Sequence, residues 1–283
     1  MDSASLQPNY LPMSNPLLPY FQIGTGRPLI VIPGLVGRRG VPDRLSRRMQ
    51  HQEVAQLSQS RAVWSIDRRH GLASDTLVRD IARDYAATIA NLFDGPVDIV
   101  GVSTGGAIAL QLAVDVPALV NRLVIVSSAY RLSDSGRATQ LEIADRLRRG
   151  HSRRAAALFI ANTGATRIQR LLLGAAGALA PRIVVGHNDP DLLATLNAED
   201  AFNLGDRIGM IAAPTLIAGG ENDRFYGAEL FAETAERIPG SRLRIYPRAG
   251  HISTHGNRRL VRDILAFLGD HDADTRPNAP ASG

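Results

Sequence analysis

Short apolar runs alternate with longer stretches of 3.6-residue periodicity along most of the chain, the rhythm of strands joined through helices in parallel βαβ units. Leu29 to Ile32 is continuously apolar, as expected of a strand buried on both faces. The preceding "PYFQIG" reads as another strand, joined to it by the turn Gly24-Thr25-Gly26. Asp43 to Ser58 has a helical pattern and Ala62 to Asp67 a strand pattern. From Asp75 to Phe93, residues Leu77, Ile81, Tyr85, Ile89 and Leu92 share one helical face. A strand at Val97 to Val102, a helix at Thr104 to Val114 and a buried strand at Arg122 to Ser128 follow.

The rhythm then breaks. Residues 133–206 are rich in Ala, Leu and Arg and read as helical, with a break near Gly164 and an ambiguous "RIVVG" after Pro181. It resumes with a strand at Pro214 to Gly220, a helix at Gly227 to Ile238, a strand at Ser241 to Pro247 and a helix at Asn257 to Leu268. The pattern therefore predicts an α/β protein with a doubly wound, mostly parallel sheet. Its core would comprise 18–132 and 207–270. Residues 133–206 would be a helical cap inserted between strands, over the strands' C-terminal ends, where such sheets gather their sites. Leu158, Phe159, Ile160, Leu171, Leu172, Leu173 and Leu179 are available to form the cap's own core or to line a pocket. Residues 1–17 form an N-terminal segment, and the polar tail 271–283, with two prolines, is expected to be disordered.

Composition narrows the chemistry. With 45% hydrophobic and 21% charged residues, the 283-residue chain has the make-up of an ordinary globular protein. Cysteine is absent, which excludes disulfides, a thiol nucleophile and thiolate metal sites. All 32 basic residues are arginine, so lysine Schiff-base chemistry is excluded too. The net charge of +5 raises the question of nucleic acid, but the arginines are scattered and no aromatic stripe accompanies them. Nucleic acid is therefore not expected as a partner. No apolar run approaches 18 residues and the N-terminus has no signal-peptide pattern, so neither a membrane partner nor export is expected. The expected location is the cytoplasm.

Four loops, each at the end of a predicted strand, carry candidate chemistry. In "GVSTGG", Gly101-Val102-Ser103-Thr104-Gly105 fits G-x-S-x-G between a strand and a helix. Small residues at Gly101, Gly105 and Gly106 would let the strand fold straight back into the helix, lifting Ser103 to the apex. The Thr104 N–H at the helix start would face the space before the hydroxyl. In "IVIPGLVGRRG", a glycine-rich loop puts Gly34 and Leu35 after an early strand, with the Leu35 N–H as a second oxyanion donor. In "GGENDRF", Asp223 is either an imidazole-orienting carboxylate or a turn aspartate. In "AGHISTH", His251 suits a general base; His255 is expected at the surface, at the start of the last helix. His70, in "DRRHGL", belongs to the pocket mouth or to a surface loop. The chain order is Ser, Asp, His.

With "PGLVG", "GVSTGG", "GGENDRF" and "AGH" in place, residues 18–270 resemble the α/β-hydrolase family, of the capped single-domain serine esterase or lactonase type. The resemblance implies Ser103 as nucleophile, Asp223 as acid, His251 as base and the Leu35 and Thr104 amides as oxyanion hole. Some relatives place the acid after the strand ending near Ser128, which keeps Asp134 as an alternative. One departure is Pro33-Gly34, where the family often has His-Gly. The implied activity is cleavage of an ester, lactone or thioester in a small to medium, largely uncharged substrate, with no metal or cofactor. C–C bond hydrolysis, perhydrolase or haloperoxidase-like activity, and a non-catalytic ligand-binding role are the alternatives.

Overall fold

A computed structural model describes residues 18–35, 54–186 and 189–269. The alternating runs form a seven-stranded sheet: β1 (Tyr20–Ile23), β2 (Pro28–Ile32), β3 (Ala62–Ile66), β4 (Val97–Val102), β5 (Val120–Val126), β6 (Thr215–Gly220) and β7 (Arg242–Tyr246). The spatial order is β1-β3-β2-β4-β5-β6-β7, with β1 antiparallel to β3 and every other pairing parallel. β1 and β2 are consecutive in the chain but not partners, since β3 lies between them. Both sides of β2 are taken by parallel neighbours, β3 and β4, which leaves β1 at the sheet edge.

Strand alternation divides the core into two faces. Ile30, Ile32, Leu123 and Ile125 pack with helices α1 (Val78–Leu92), α2 (Thr104–Asp115) and α8 (Ala228–Arg237). Leu29, Val31, Val124 and Val126 face the other way, toward Leu260, Ile264 and Phe267 of α10 (Arg258–Gly269). Away from the strands' C-terminal ends, Arg61 and Asp98 form a buried ion pair at 2.9 Å; Asn121 donates to the same carboxylate, and Arg61 also donates to Leu268 O.

Between β5 and β6 run α3 (Asp134–Arg148), α4 (Ser152–Asn162), α5 (Arg167–Leu179), α6 (Pro181–Val185) and α7 (Pro190–Asp200). The ambiguous "RIVVG" is thus helical, with Pro181 at the helix start, where its missing N–H costs nothing. These helices share a third small core of Ile143, Ala144, Ala155, Ala156, Val185, Leu192 and Leu196, with Leu158 and Phe159 packed against it. The leucines of α5 do not join it: Leu171 is 75% and Leu179 80% exposed. Gly177 lets α5 approach α4 through its opposite face, so the leucine stripe turns outward.

The predicted helix from Asp43, except its last residues, lies outside the described residues, as do the N-terminal segment 1–17 and the tail. No described helix is long and apolar enough to cross a membrane.

The chain direction across the sheet reverses at β2 and β4. Their register pairs Ile32 with Gly101, so the loops after these two strands emerge side by side at the switch point, the usual place for a ligand.

Candidate active site

Ser103 links β4 directly to α2 with φ 51° and ψ −121°, a conformation a residue with a Cβ adopts only under strain. Hydrogen bonds hold the turn. The Ser103 N–H donates to Val126 O at 2.8 Å, and Ser103 O accepts from Gly106 N at 2.7 Å and Ala107 N at 3.3 Å. The glycines supply clearance. A Cβ on Gly101 would stand 2.6 Å from Gly105 O, one on Gly105 would overlap Ile32 O, and one on Gly106 would overlap the Ser128 side chain. As the first residue of α2, Thr104 has an N–H with no carbonyl one turn back to accept it. Gly34 abuts the serine: a Cβ there would lie 3.3 Å from both Ser103 Cβ and Val102 O. Leu35 follows it and packs toward the inserted helices.

Beyond β6, Asp223 folds its loop and reaches a ring at once. Its Oδ1 accepts from Phe225 N at 2.9 Å and Tyr226 N at 3.3 Å, and its Oδ2 lies 2.7 Å from His251 Nδ1. The turn role and the imidazole role, alternatives in the sequence, are carried by different oxygens of one carboxylate. His251 begins the short helix α9 (His251–His255), and its Nε2 lies 2.9 Å from Ser103 Oγ. The ring sits edge-on to Phe225 and stacks on Tyr226, the latter with centroids 6.1 Å apart and planes 16° apart. Burial works against a charged His251, but the Asp223 charge and hydrogen bond, with the Glu199 charge, outweigh it and raise the ring above its usual pKa.

The remaining candidates fall elsewhere. Asp134 opens α3, fully exposed, 3.5 Å from Arg131. His70 is half exposed, with Nδ1 3.6 Å from Asp191 Oδ2, in a loop whose Gly71 and Leu72 amides donate to that same carboxylate. His255 departs from expectation. It ends α9, its ring centroid lies 5.9 Å from that of His251, and its buried Nε2 has no hydrogen-bond partner among the described residues. Burial and the neighbouring His251 push it down to about 4.

Two groups that sequence patterning did not single out complete the surroundings. Glu199 of α7 is buried; its Oε2 accepts from Thr104 Oγ1 at 3.0 Å and its Oε1 from Tyr226 OH at 2.9 Å. Burial pushes this carboxyl above its usual range, against the hydrogen bonds of Tyr226 and Thr104 and the charges of His251 and Arg68. A signal existed: Leu192, Thr195, Leu196 and Glu199 fall at i, i+3, i+4 and i+7, so the acid lies on the buried face. Arg68 spans the oxyanion-loop candidate, donating to Pro33 O at 3.3 Å and Gly34 O at 3.1 Å. Among the described residues, no three His, Asp or Glu side chains gather as metal ligands would.

The arrangement is a strained serine hydroxyl on an imidazole backed by a buried carboxylate, at the switch point of a parallel sheet. The sequence matches the alpha/beta hydrolase family over residues 29–264, and the chain belongs to that family. Among curated proteins it is 26% identical over 253 residues to "Putative non-heme bromoperoxidase BpoC" of Mycobacterium tuberculosis, covering 83% of this chain and 90% of that protein. It is 25% identical over 243 residues to a pimeloyl-[acyl-carrier protein] methyl ester esterase of Nitrosomonas europaea, covering 81% and 90%. Among solved structures, the enol-lactonase of Burkholderia xenovorans shares the fold with a TM-score of 0.72 at 22% identity, over 88% of this chain and 95% of that one.

Proposed function

We propose that the protein is a serine hydrolase that cleaves a carboxylic ester, lactone or thioester through an acyl-enzyme. The observation that carries this reading is the continuous chain of hydrogen-bond distances from Ser103 Oγ through His251 to Asp223, 2.9 and 2.7 Å. His251 Nε2 takes the hydroxyl proton as Oγ attacks the carbonyl carbon. Asp223 holds Nδ1–H and stabilises the imidazolium that forms. The N–H groups of Thr104 and Leu35 receive the oxyanion. The imidazolium then protonates the leaving alcohol, and water repeats the sequence to release the acid and regenerate Ser103. The core 18–132 and 207–270 would carry the site, with 133–206 as a cap above it, acting on a small to medium, largely uncharged substrate.

The likeness to a protein named as a bromoperoxidase favours one second reading on the same groups. Hydrogen peroxide in place of water would attack the acyl-enzyme and release a peracid, leaving Ser103 unchanged.

A panel of p-nitrophenyl esters and lactones, assayed with and without hydrogen peroxide against Ser103→Ala, tests both. Turnover by the wild type and loss of about 10⁴-fold or more in the variant are expected. Equal rates for the two proteins would overturn the assignment.

A further inference from the structure

The two amides proposed to receive the oxyanion sit on separate pieces of chain, one after β2 and one at the start of α2. Their separation must be held to a fraction of an ångström, because donors misplaced by about 1 Å lose most of their effect. Each piece is held by one charged side chain from a third element, and neither attachment is needed to build the sheet.

Arg68 acts on the β2 side. In a trans peptide the carbonyl and the following N–H point in opposite directions. A guanidinium bonded to Gly34 O at 3.1 Å and Pro33 O at 3.3 Å therefore fixes which way the Leu35 N–H points. The loop lacks the histidine common in this position, and its direction is set from outside by an arginine.

Glu199 acts on the α2 side. One oxygen holds the Thr104 hydroxyl at 3.0 Å, which fixes the first residue of the helix. The other holds Tyr226 OH at 2.9 Å, and Tyr226 stacks on His251. A single carboxylate from α7 thus reaches both an oxyanion residue and the wall of the base. Both of its oxygens are occupied by donors, and the carboxylate is buried, so it has little freedom to move.

We propose that Arg68 and Glu199 are a pair of positioning residues that set the two sides of the oxyanion hole, Arg68 through the Gly34–Leu35 peptide and Glu199 through Thr104 and Tyr226. This rests on the acyl-transfer reading. Opposite charges suit the pair: Arg68 and Glu199 interact favourably with each other, and the Glu199 charge favours the imidazolium that develops on His251. Because Glu199 belongs to the inserted helices, the geometry of the reacting centre depends on those helices being docked.

The test uses the full chain with Arg68→Met, Arg68→Lys, Glu199→Gln and the Arg68→Met/Glu199→Gln double variant, on whichever ester the wild type turns over. An interaction felt in the transition state lowers kcat and leaves KM near its starting value. Arg68→Met is expected to lose about 10- to 100-fold in kcat, with partial rescue in Arg68→Lys. Glu199→Gln keeps the size and an acceptor oxygen but removes the charge. It is expected to lower kcat and to move the acid limb of the kcat/KM profile to lower pH, a shift that a packing role alone would not produce. Thermal melting run alongside identifies any variant lost to unfolding, and the conservative Arg68→Lys and Glu199→Gln changes then decide. Unchanged kcat with an unmoved acid limb in folded variants, beside an active wild type, would overturn this inference alone. A wild type with no ester turnover and no labelling by a fluorophosphonate would overturn the acyl-transfer reading, and this inference with it.

Discussion

Asp223 Oδ2 lies 2.7 Å from His251 Nδ1, and both side chains are buried. With Nδ1 held by a carboxylate, the ring turns Nε2 toward Ser103 Oγ, 2.9 Å away. The carboxylate is itself held by the Phe225 and Tyr226 amides, so the ring has one orientation.

Asp223→Asn should therefore cost far more than Asp134→Asn. Asparagine keeps the size but removes the charge and favours the wrong tautomer, an effect of about 10⁴-fold in kcat where such a triad operates. Asp134 is exposed and pairs with Arg131, so its asparagine variant should retain wild-type kcat. Ester hydrolysis by the two variants, side by side, measures the difference.

The pH dependence follows from the raised His251. A general base works unprotonated, so kcat/KM should fall as pH drops through the ring's pKa. Since the Asp223 and Glu199 charges hold that pKa above the usual histidine value despite burial, the acid limb should lie above 6.5. Glu199→Gln should bring it down. A wild-type limb below 6.5 would contradict the electrostatic account.

His255 gives the opposite sign in stability. With its Nε2 buried and His251 alongside, it refuses a proton until about pH 4 while the unfolded chain accepts one near 6.5. The unfolded state thus binds more protons between these values, and stability should fall as pH drops from 6.5 toward 4. Thermal midpoints across that range should fall more steeply for the wild type than for His255→Gln.

The Arg61–Asp98 pair should govern folding without touching the chemistry. Arg61→Met leaves Asn121 as the side-chain partner of Asp98 among the described residues, and breaking a buried pair from one side typically costs about 3–5 kcal/mol. Urea unfolding should show the loss, while kcat of the folded variant stays at the wild-type value. A variant with undiminished stability would mean that Asn121 and solvent suffice.

Much of this was legible in the chain itself, for physical reasons. Buried parallel strands announce themselves as continuous apolar runs, and loops such as "GVSTGG" and "GGENDRF" stand out where those runs stop. Ser103 follows the largely apolar strand Val97–Val102 and Asp223 the apolar Thr215–Gly220, whereas His251 follows the alternating edge strand Arg242–Tyr246. The pairing of β1 with β3 was not legible, because neighbours in sequence suggest a hairpin and only the crossovers decide who flanks β2. Glu199 was hidden because an acid on an apolar helix face has no meaning until the helix is docked on Thr104 and Tyr226. The outward leucines of α5 misled in the opposite direction: periodicity places them on one face without saying which way the face turns. Arg68 looked like one of many scattered arginines, and its bonds to Pro33 O and Gly34 O depend on two loops that meet only in the fold.

The central claim is that Ser103 is an activated nucleophile. Intact-protein and peptide mass spectrometry after exposure to a fluorophosphonate tests it most directly. The account predicts one covalent adduct per chain, located on Ser103, absent from Ser103→Ala and formed much more slowly in His251→Ala. An unlabelled wild type, or an adduct on another residue, would contradict it.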